Sequence, residues 1–121
     1  MLKVTKFGGS SMADAGQYRK VRDIVLSDPT RKVVVVSAAG KRFSADHKIT
    51  DLLYLCHAHS KYGVDSSTVF EMVTSRYLQI RDDLGLNLDL ESEFAVLKER
   101  LDAKAVSKDE LVSRVNTSPL S

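Results

Sequence analysis

Four consecutive valines, at positions 33–36, constrain the fold of this chain more than any other feature. Valine is β-branched and favours extended backbone. A strand that is apolar on both faces is typical of a parallel sheet covered on each side. A parallel neighbour must be reached through a crossover connection, and the alternating residues 2–7 predict that neighbouring strand.

The segment between these strands predicts the crossover helix. Asp14 and Gln17 form a capping-box pair at its start, and apolar residues then recur on one face to about Leu26. Pro29 cannot continue a helix and marks its end. Strand, helix and strand within the first 37 residues form a βαβ unit, which predicts an α/β fold.

Both predicted strands end on small residues at the same edge of the sheet. Gly8, Gly9 and Ser10 follow the first strand, and Ser37 follows the second. Ligands bind outside the carboxyl ends of such strands, and glycines let the backbone approach a phosphate. Lys6 adds a positive charge, so we expect Lys6 and Ser37 to approach one pocket. A plain strand-to-helix turn is the alternative, because the spacing matches neither common nucleotide-binding glycine pattern.

The polar residues 41–48 predict a mobile, solvated loop. The alternative is a flap whose cations contact nucleotide phosphates. Thr50 is predicted to cap the next helix, and a threonine that faces a pocket can also hydrogen-bond a substrate.

The rest of the chain is predicted to be helical. Apolar residues recur at spacings of three and four, Gly63 and Gly85 end helices, and Ser107 caps a last short helix. Two strands alone make a poor core, so we expect the opening portion of a larger α/β protein. The alternatives are a sheet that is completed by a partner, and a local arrangement of the strands that the sequence does not predict.

Charge and cysteine content exclude several classes of protein. The net charge is only +2, with acids and bases interleaved, which argues against partners such as nucleic acid or an anionic membrane. No apolar run reaches the length of a membrane span. The single cysteine, Cys56, indicates a reducing compartment, so we expect a cytoplasmic protein. The three histidines lack metal-ligand companions, and no metal site is predicted.

Three motifs, in order, resemble the aspartate kinases of the amino acid kinase family. They are K-F-G-G-S-S at 6–11, V-V-V-S-A-A-G at 34–40 and I-T-D-L-L at 49–53. The resemblance implies an incomplete three-layer α/β sandwich of the amino acid kinase type, made of the βαβ unit and a helical region. Residues 1–121 would then form the N-terminal part of one catalytic domain, with no second domain.

The resemblance also implies an activity. Aspartate kinases transfer the γ-phosphoryl group of ATP, with Mg²⁺ bound through the nucleotide, to the side-chain carboxylate of L-aspartate. This is the first step toward lysine, threonine and methionine. The full-length protein is expected to be a homo-oligomer.

Site residues carried over from the family fall into two groups. Lys6 would be catalytic and stabilise the transferring phosphoryl group. The ATP phosphates would be bound by Lys6, Phe7, Gly8, Gly9 and Ser10, mostly through backbone N–H groups. The substrate aspartate would be bound by Ser37 and Thr50.

The sequence departs from the family near its end. Ser113 and Arg114 begin the family's Ser-x-Gly-Glu motif, but Val115 and Asn116 replace Gly-Glu. The adenine-binding parts, the second catalytic lysine and the regulatory domains have no counterpart, so a truncated chain that is inactive alone is expected. Two alternatives are a kinase of N-acetylglutamate or glutamate, and a non-catalytic module that docks a partner through residues 66–101.

Overall fold

The computed structural model describes residues 1–103, which form two strands and four α-helices, with the first helix between the strands. The predicted helix at Ser107 and the motif at Ser113 lie outside the described residues. In chain order the elements are β1 (Lys3–Phe7), a short 3-10 helix (Gly9–Met12), α1 (Ala15–Leu26), β2 (Arg31–Val36), α2 (Ile49–Lys61), α3 (Ser67–Asp83) and α4 (Leu90–Ala103).

The chain forms two compact units. The first combines Met1–Asp51 with Ser75–Leu88, and it contains both strands, α1 and the last part of α3. The second combines Leu52–Thr74 with the described residues from 89 to 103.

The two strands of the first unit pair in parallel, as predicted. The last register pair places Phe7 opposite Val36, so both strands end at the same edge of the sheet. An irregularity at the other end sets Lys3 opposite Arg31 and Val4 opposite Val33. The parallel register therefore brings the segments after Phe7 and after Val36 to neighbouring positions.

The expectation that both faces of the valine strand are covered is wrong for the described residues. The four valine side chains are 39–54% exposed, because the described elements cover the faces of this strand only in part. The buried apolar residues of the first unit lie mostly in the segments that follow the strands. They are Phe7, Met12, Ala13, Ala15, Ala39, Ile49 and Ile80.

The predicted boundaries of α1 are confirmed. The Asp14 carboxylate accepts a hydrogen bond from the Gln17 N–H at 3.0 Å, and the helix ends at Leu26. Gly63 and Gly85 follow α2 and α3 with φ of 70° and 67°. Glycine adopts this left-handed backbone without the steric cost that a Cβ brings, so both stop signals act as expected.

The second unit buries one stripe of α2 and one of α3. Leu52, Cys56 and Ser60 recur every fourth residue along α2, and Val69 with Val73 repeats the spacing on α3. Burial raises the pKa of the Cys56 thiol, which keeps that group neutral. No residue of α4 is buried among its described neighbours.

Within residues 1–103, every helix is too short or too polar to cross a bilayer.

Replacing Asp14 by alanine is expected to destabilise the first unit by about 1 kcal/mol, because the Gln17 N–H loses its acceptor. Urea unfolding of the 121-residue chain measures the change. Asp23→Ala is the matched control, since Asp23 is exposed and pairs only with its neighbour Arg22. Equal losses in the two variants would contradict the capping role.

Candidate functional site

A cavity of about 430 Å³ lies beyond the carboxyl ends of β1 and β2, within the first unit. Its lining consists of small residues, three of which carry a hydroxyl group, together with two lysines. It contains no acidic residue. Such a lining offers hydrogen-bond donors and positive charge, and it suits an anion. The lining residues are Gly9, Ser10, Ser37, Ala38, Ala39, Gly40, Lys41, Lys48 and Thr50.

The structure brings four of the site residues predicted from sequence to this cavity, namely Gly9, Ser10, Ser37 and Thr50. The other three lie outside the lining. Lys6 is exposed on β1, with its Cα paired to that of Val35. Phe7 is buried, and the Gly8 carbonyl accepts a hydrogen bond from the Ser11 N–H. Their roles toward ATP stay predictions.

The turns after the two strands are in direct backbone contact. The Gly40 N–H donates to the Gly9 carbonyl at 2.7 Å. A Cβ on Gly40 would lie 2.6 Å from the Gly9 carbonyl carbon and 2.9 Å from the Ser10 nitrogen. Only glycine fits this approach, so the Gly9–Gly40 contact sets the shape of the cavity wall.

Thr50 is the second residue of α2, which begins at Ile49. The prediction that Thr50 caps the helix is therefore wrong by position, because the capping residue precedes the first helical one. The Ile49 N–H instead donates to the Ala39 carbonyl at 2.9 Å. This bond brings the start of α2 to the turn after β2, and Thr50 to the cavity.

A buried arginine on α3 ties this region together, and sequence reasoning missed it. Arg76 is 4% exposed. Its Nη1 donates to the carbonyls of Gly40 at 2.7 Å and Ala13 at 3.4 Å. Its Nη2 donates to Asp46 Oδ2 at 2.9 Å and to the His47 carbonyl at 2.8 Å. One guanidinium thus connects the turn after β2 to both the start of α1 and the end of the polar loop.

Asp46 is the carboxylate at the centre of this network. Arg42 donates to it through Nε at 2.6 Å, through Nη2 at 2.9 Å and through its backbone N–H at 3.0 Å. These bonds, with the charge of Arg76, hold the pKa of Asp46 well below its usual range. Asp46 is buried, so the expectation of a fully solvated loop over 41–48 is wrong at this position.

The sequence carried a signal for Arg76. It lies three residues after Val73 and four before Ile80, on the apolar stripe of α3. A charged residue on a buried stripe requires an internal partner of opposite charge. Tyr77, beside it, accepts a hydrogen bond from the Ala39 N–H through its hydroxyl at 3.2 Å. The partner itself, Asp46, is thirty positions away and has no local pattern.

Lys41 and Lys48 differ from the two arginines in lacking a partner. Within the described part of the chain, neither lysine forms an ion pair, and both are exposed at the cavity. The same residues contain no group of three or more His, Cys, Asp or Glu side chains arranged to hold a metal ion.

Comparisons with known proteins agree on one family. The model of the amino acid kinase family matches residues 1–117. Aspartokinase 3 of Bacillus subtilis is 47% identical over 85 residues, which cover 70% of this chain and 19% of that protein. The bifunctional aspartokinase/homoserine dehydrogenase 1 of Zea mays is 36% identical over 92 residues, covering 74% of this chain and 9% of its own length. The chain thus spans about a fifth or less of these relatives.

Solved structures give the same result. The crystal structure of Clostridium acetobutylicum aspartate kinase superimposes with a TM-score of 0.81 and 44% identity, over 89% of this chain and 25% of that one. E. coli aspartokinase III in complex with aspartate and ADP superimposes with a TM-score of 0.67 and 28% identity, over 93% of this chain and 26% of that one. The expected fold class, an incomplete α/β fold of the amino acid kinase type, is confirmed.

Gly40→Ala is expected to destabilise the chain by about 1–3 kcal/mol, because the new methyl group meets the backbone of Gly9 and Ser10. Thermal unfolding measures the loss. Gly8→Ala is the matched control, since a Cβ there meets nothing within 4 Å. A Gly40→Ala chain as stable as the control would show that the turns do not need this contact.

Acid is expected to weaken the network around Asp46. Its folded-state pKa lies below the unfolded value of about 3.9, so its stabilising effect is present above about pH 4 and disappears as the pH falls further. Urea unfolding from neutral to acid pH measures this. Asp46→Asn should be less stable at neutral pH and show a shallower loss in acid. If stability fell equally with pH in the unmodified chain and in Asp46→Asn, the stabilising role of the ionised Asp46 would be contradicted.

Proposed function

Because this chain belongs to the amino acid kinase family, we propose that it forms the N-terminal part of one aspartate kinase catalytic domain. The proposed reaction moves the γ-phosphoryl group of ATP to the side-chain carboxylate of L-aspartate. The observation that carries the proposal is the anion-suited lining of the cavity at the ends of β1 and β2. Similarity to aspartokinases favours aspartate over N-acetylglutamate or glutamate as the acceptor.

The residues of the cavity suit this reaction. A carboxylate acceptor is already ionised at neutral pH, so it needs no general base. Phosphoryl transfer then needs positioning and neutralisation of charge. Backbone N–H groups of Gly9 and Ser10, with the Ser10 hydroxyl, would bind phosphate oxygens. Ser37 and Thr50 would bind the amino acid. The E. coli relative was crystallised with aspartate and ADP, which supports a site for an amino acid and a nucleotide.

Lys6 is assigned the charge-stabilising role that the family resemblance implies. It lies in β1, two residues before the Gly8–Gly9 turn, and it forms no ion pair with a described residue. The lysine ammonium is a compact charge on a flexible stem, which suits contact with a phosphoryl group. Phe7 and Gly8 would add backbone N–H groups. Mg²⁺, carried by the nucleotide, would neutralise phosphate charge, and we assign it no protein ligand.

The product of the proposed reaction indicates its biosynthetic role. An activated aspartate is the proposed starting compound for lysine and threonine biosynthesis. A cytoplasmic location and a homo-oligomeric full-length protein stay predictions.

Lys6→Ala is expected to lower kcat by about 100-fold or more, because a cation at the transferring group stabilises charge that develops in the transition state. The test uses a hybrid in which this chain replaces the matching segment of Bacillus subtilis aspartokinase 3. Acyl-phosphate formation from ATP and L-aspartate, trapped with hydroxylamine, gives the rate.

Lys20→Ala in the same hybrid is the control, since Lys20 is exposed on α1 and outside the cavity. Near-normal turnover of the Lys6 variant would refute its role. An active hybrid that prefers glutamate or N-acetylglutamate would refute the proposed acceptor.

A further inference from the structure

We propose that Lys41 and Lys48 bind an anionic oxygen group of a substrate, and that Arg76 and Asp46 are positioning residues that hold both lysines at the cavity. The identity of the substrate rests on the function proposed above, whereas the anion-binding role rests on the geometry of residues 40–50.

The charges at the cavity are the first argument. The lining residues include two lysines and three residues with hydroxyl groups, and none of them is acidic. In the described chain neither lysine has an ion-pair partner, so both charges are available to a ligand. Like charges at one small site repel each other, and a bound anion relieves that repulsion.

The backbone beside each lysine is the second argument. Gly40 precedes Lys41, and the Gly40 carbonyl accepts from Arg76 Nη1 at 2.7 Å. His47 precedes Lys48, and the His47 carbonyl accepts from Arg76 Nη2 at 2.8 Å. A single buried guanidinium therefore fixes the chain immediately before both lysines. Their Cα positions are set before any ligand arrives, which lowers the entropic cost of binding.

Asp46 makes this arrangement possible. A buried guanidinium without a carboxylate is strongly destabilising, and the Asp46 carboxylate lies 2.9 Å from Arg76 Nη2. Arg42 uses the remaining acceptor positions of the same carboxylate. Asp46 thus pairs with both arginines, and no carboxylate among the described residues pairs with either lysine.

The ligand class follows from these donors. Ammonium and hydroxyl groups bind carboxylate and phosphate oxygens alike. The group bound is therefore either a carboxylate of the acceptor amino acid or a terminal phosphate of the nucleotide. Separate titrations with inorganic pyrophosphate, ATP and L-aspartate distinguish the two sources.

The experiment titrates the 121-residue chain and its variants with each of the three probes, followed by NMR. Lys41→Met and Lys48→Met keep the aliphatic stem and remove the charge. Each is expected to weaken binding of the recognised anion by about tenfold. Lys20→Met, which removes one exposed lysine elsewhere in the first unit, is the matched control and should bind like the parent chain.

The pattern among the probes identifies the source of the anion. Weaker binding of pyrophosphate and ATP, with L-aspartate unaffected, indicates a phosphate. The reverse pattern indicates a carboxylate. Added salt should weaken binding to the parent chain more than to the double lysine variant, because exposed charges are screened.

A double-mutant cycle tests the positioning role. Asp46→Asn keeps both lysines but removes the charge that fixes Arg76, so it should weaken anion binding. In the Lys41→Met/Lys48→Met background, Asp46→Asn should weaken anion binding little further, because Asp46 acts on the anion only through the two lysines. A loss that is equally large in both backgrounds would reduce Asp46 to a structural residue and overturn its positioning role. Measurement well below the melting temperature of each variant separates binding from unfolding.

Failure of this inference and failure of the proposed function look different. If the double lysine variant binds all probes as tightly as the parent chain, Lys41 and Lys48 do not bind the anion and the inference is overturned. Binding of ATP and aspartate by that variant would still support the proposed kinase function. Lysine-dependent binding of pyrophosphate without binding of ATP or aspartate supports the anion site and contradicts the proposed substrates. A parent chain that binds no probe at millimolar concentration overturns the inference.

Discussion

The first unit of this protein depends on one buried charge, the guanidinium of Arg76. It donates to two groups in the polar loop, to the turn after β2 and to the residue before the α1 cap. Loss of one partner of a buried ion pair costs about 3–5 kcal/mol when the other charge is left unpaired. Without Arg76, Asp46 would still pair with Arg42, but the Gly40 and His47 carbonyls would lose a donor. The segments that surround the cavity also bury apolar side chains, among them Met12, Ala39 and Ile49. Hydrogen bonds to Arg76 join these segments to one another.

The glycine contact between the two turns complements that network. Parallel strands place their carboxyl ends side by side, but they do not by themselves bring the following backbones to 2.7 Å. The absence of a Cβ at Gly40 permits the approach. The sheet sets which residues of the two strands lie side by side, whereas the turns and Arg76 set the shape of the cavity. This division explains how a cavity forms beside a two-stranded sheet whose valines are still half-exposed.

Cations around the loop serve two different purposes. Arg42 and Arg76 both pair with the carboxylate of Asp46, so both guanidinium groups are held by a partner within the fold. Lys41 and Lys48, at the two ends of the same loop, face the cavity without such a partner in the described chain. A catalytic domain that transfers a phosphoryl group between two anions needs uncompensated positive charge at the place where both substrates meet. In the proposed kinase, Lys41 and Lys48 would supply this charge, because the one acidic residue of the loop, Asp46, pairs with the two arginines.

Local features of the chain were determined by the sequence alone. These features depend on neighbours within a few residues, so periodicity or spacing in the sequence predicts them. They are the strand–helix–strand order, the Asp14 cap, the helix ends at Gly63 and Gly85 and the three family motifs. The meeting of Gly9, Ser10, Ser37 and Thr50 followed from strand order and those motifs. Only the tertiary structure decided that Arg76 pairs with Asp46, that Lys6 lies outside the cavity lining and that the valines stay exposed. Ion pairing across thirty residues and the burial of a strand face depend on which segments become neighbours in space, and no local pattern encodes that.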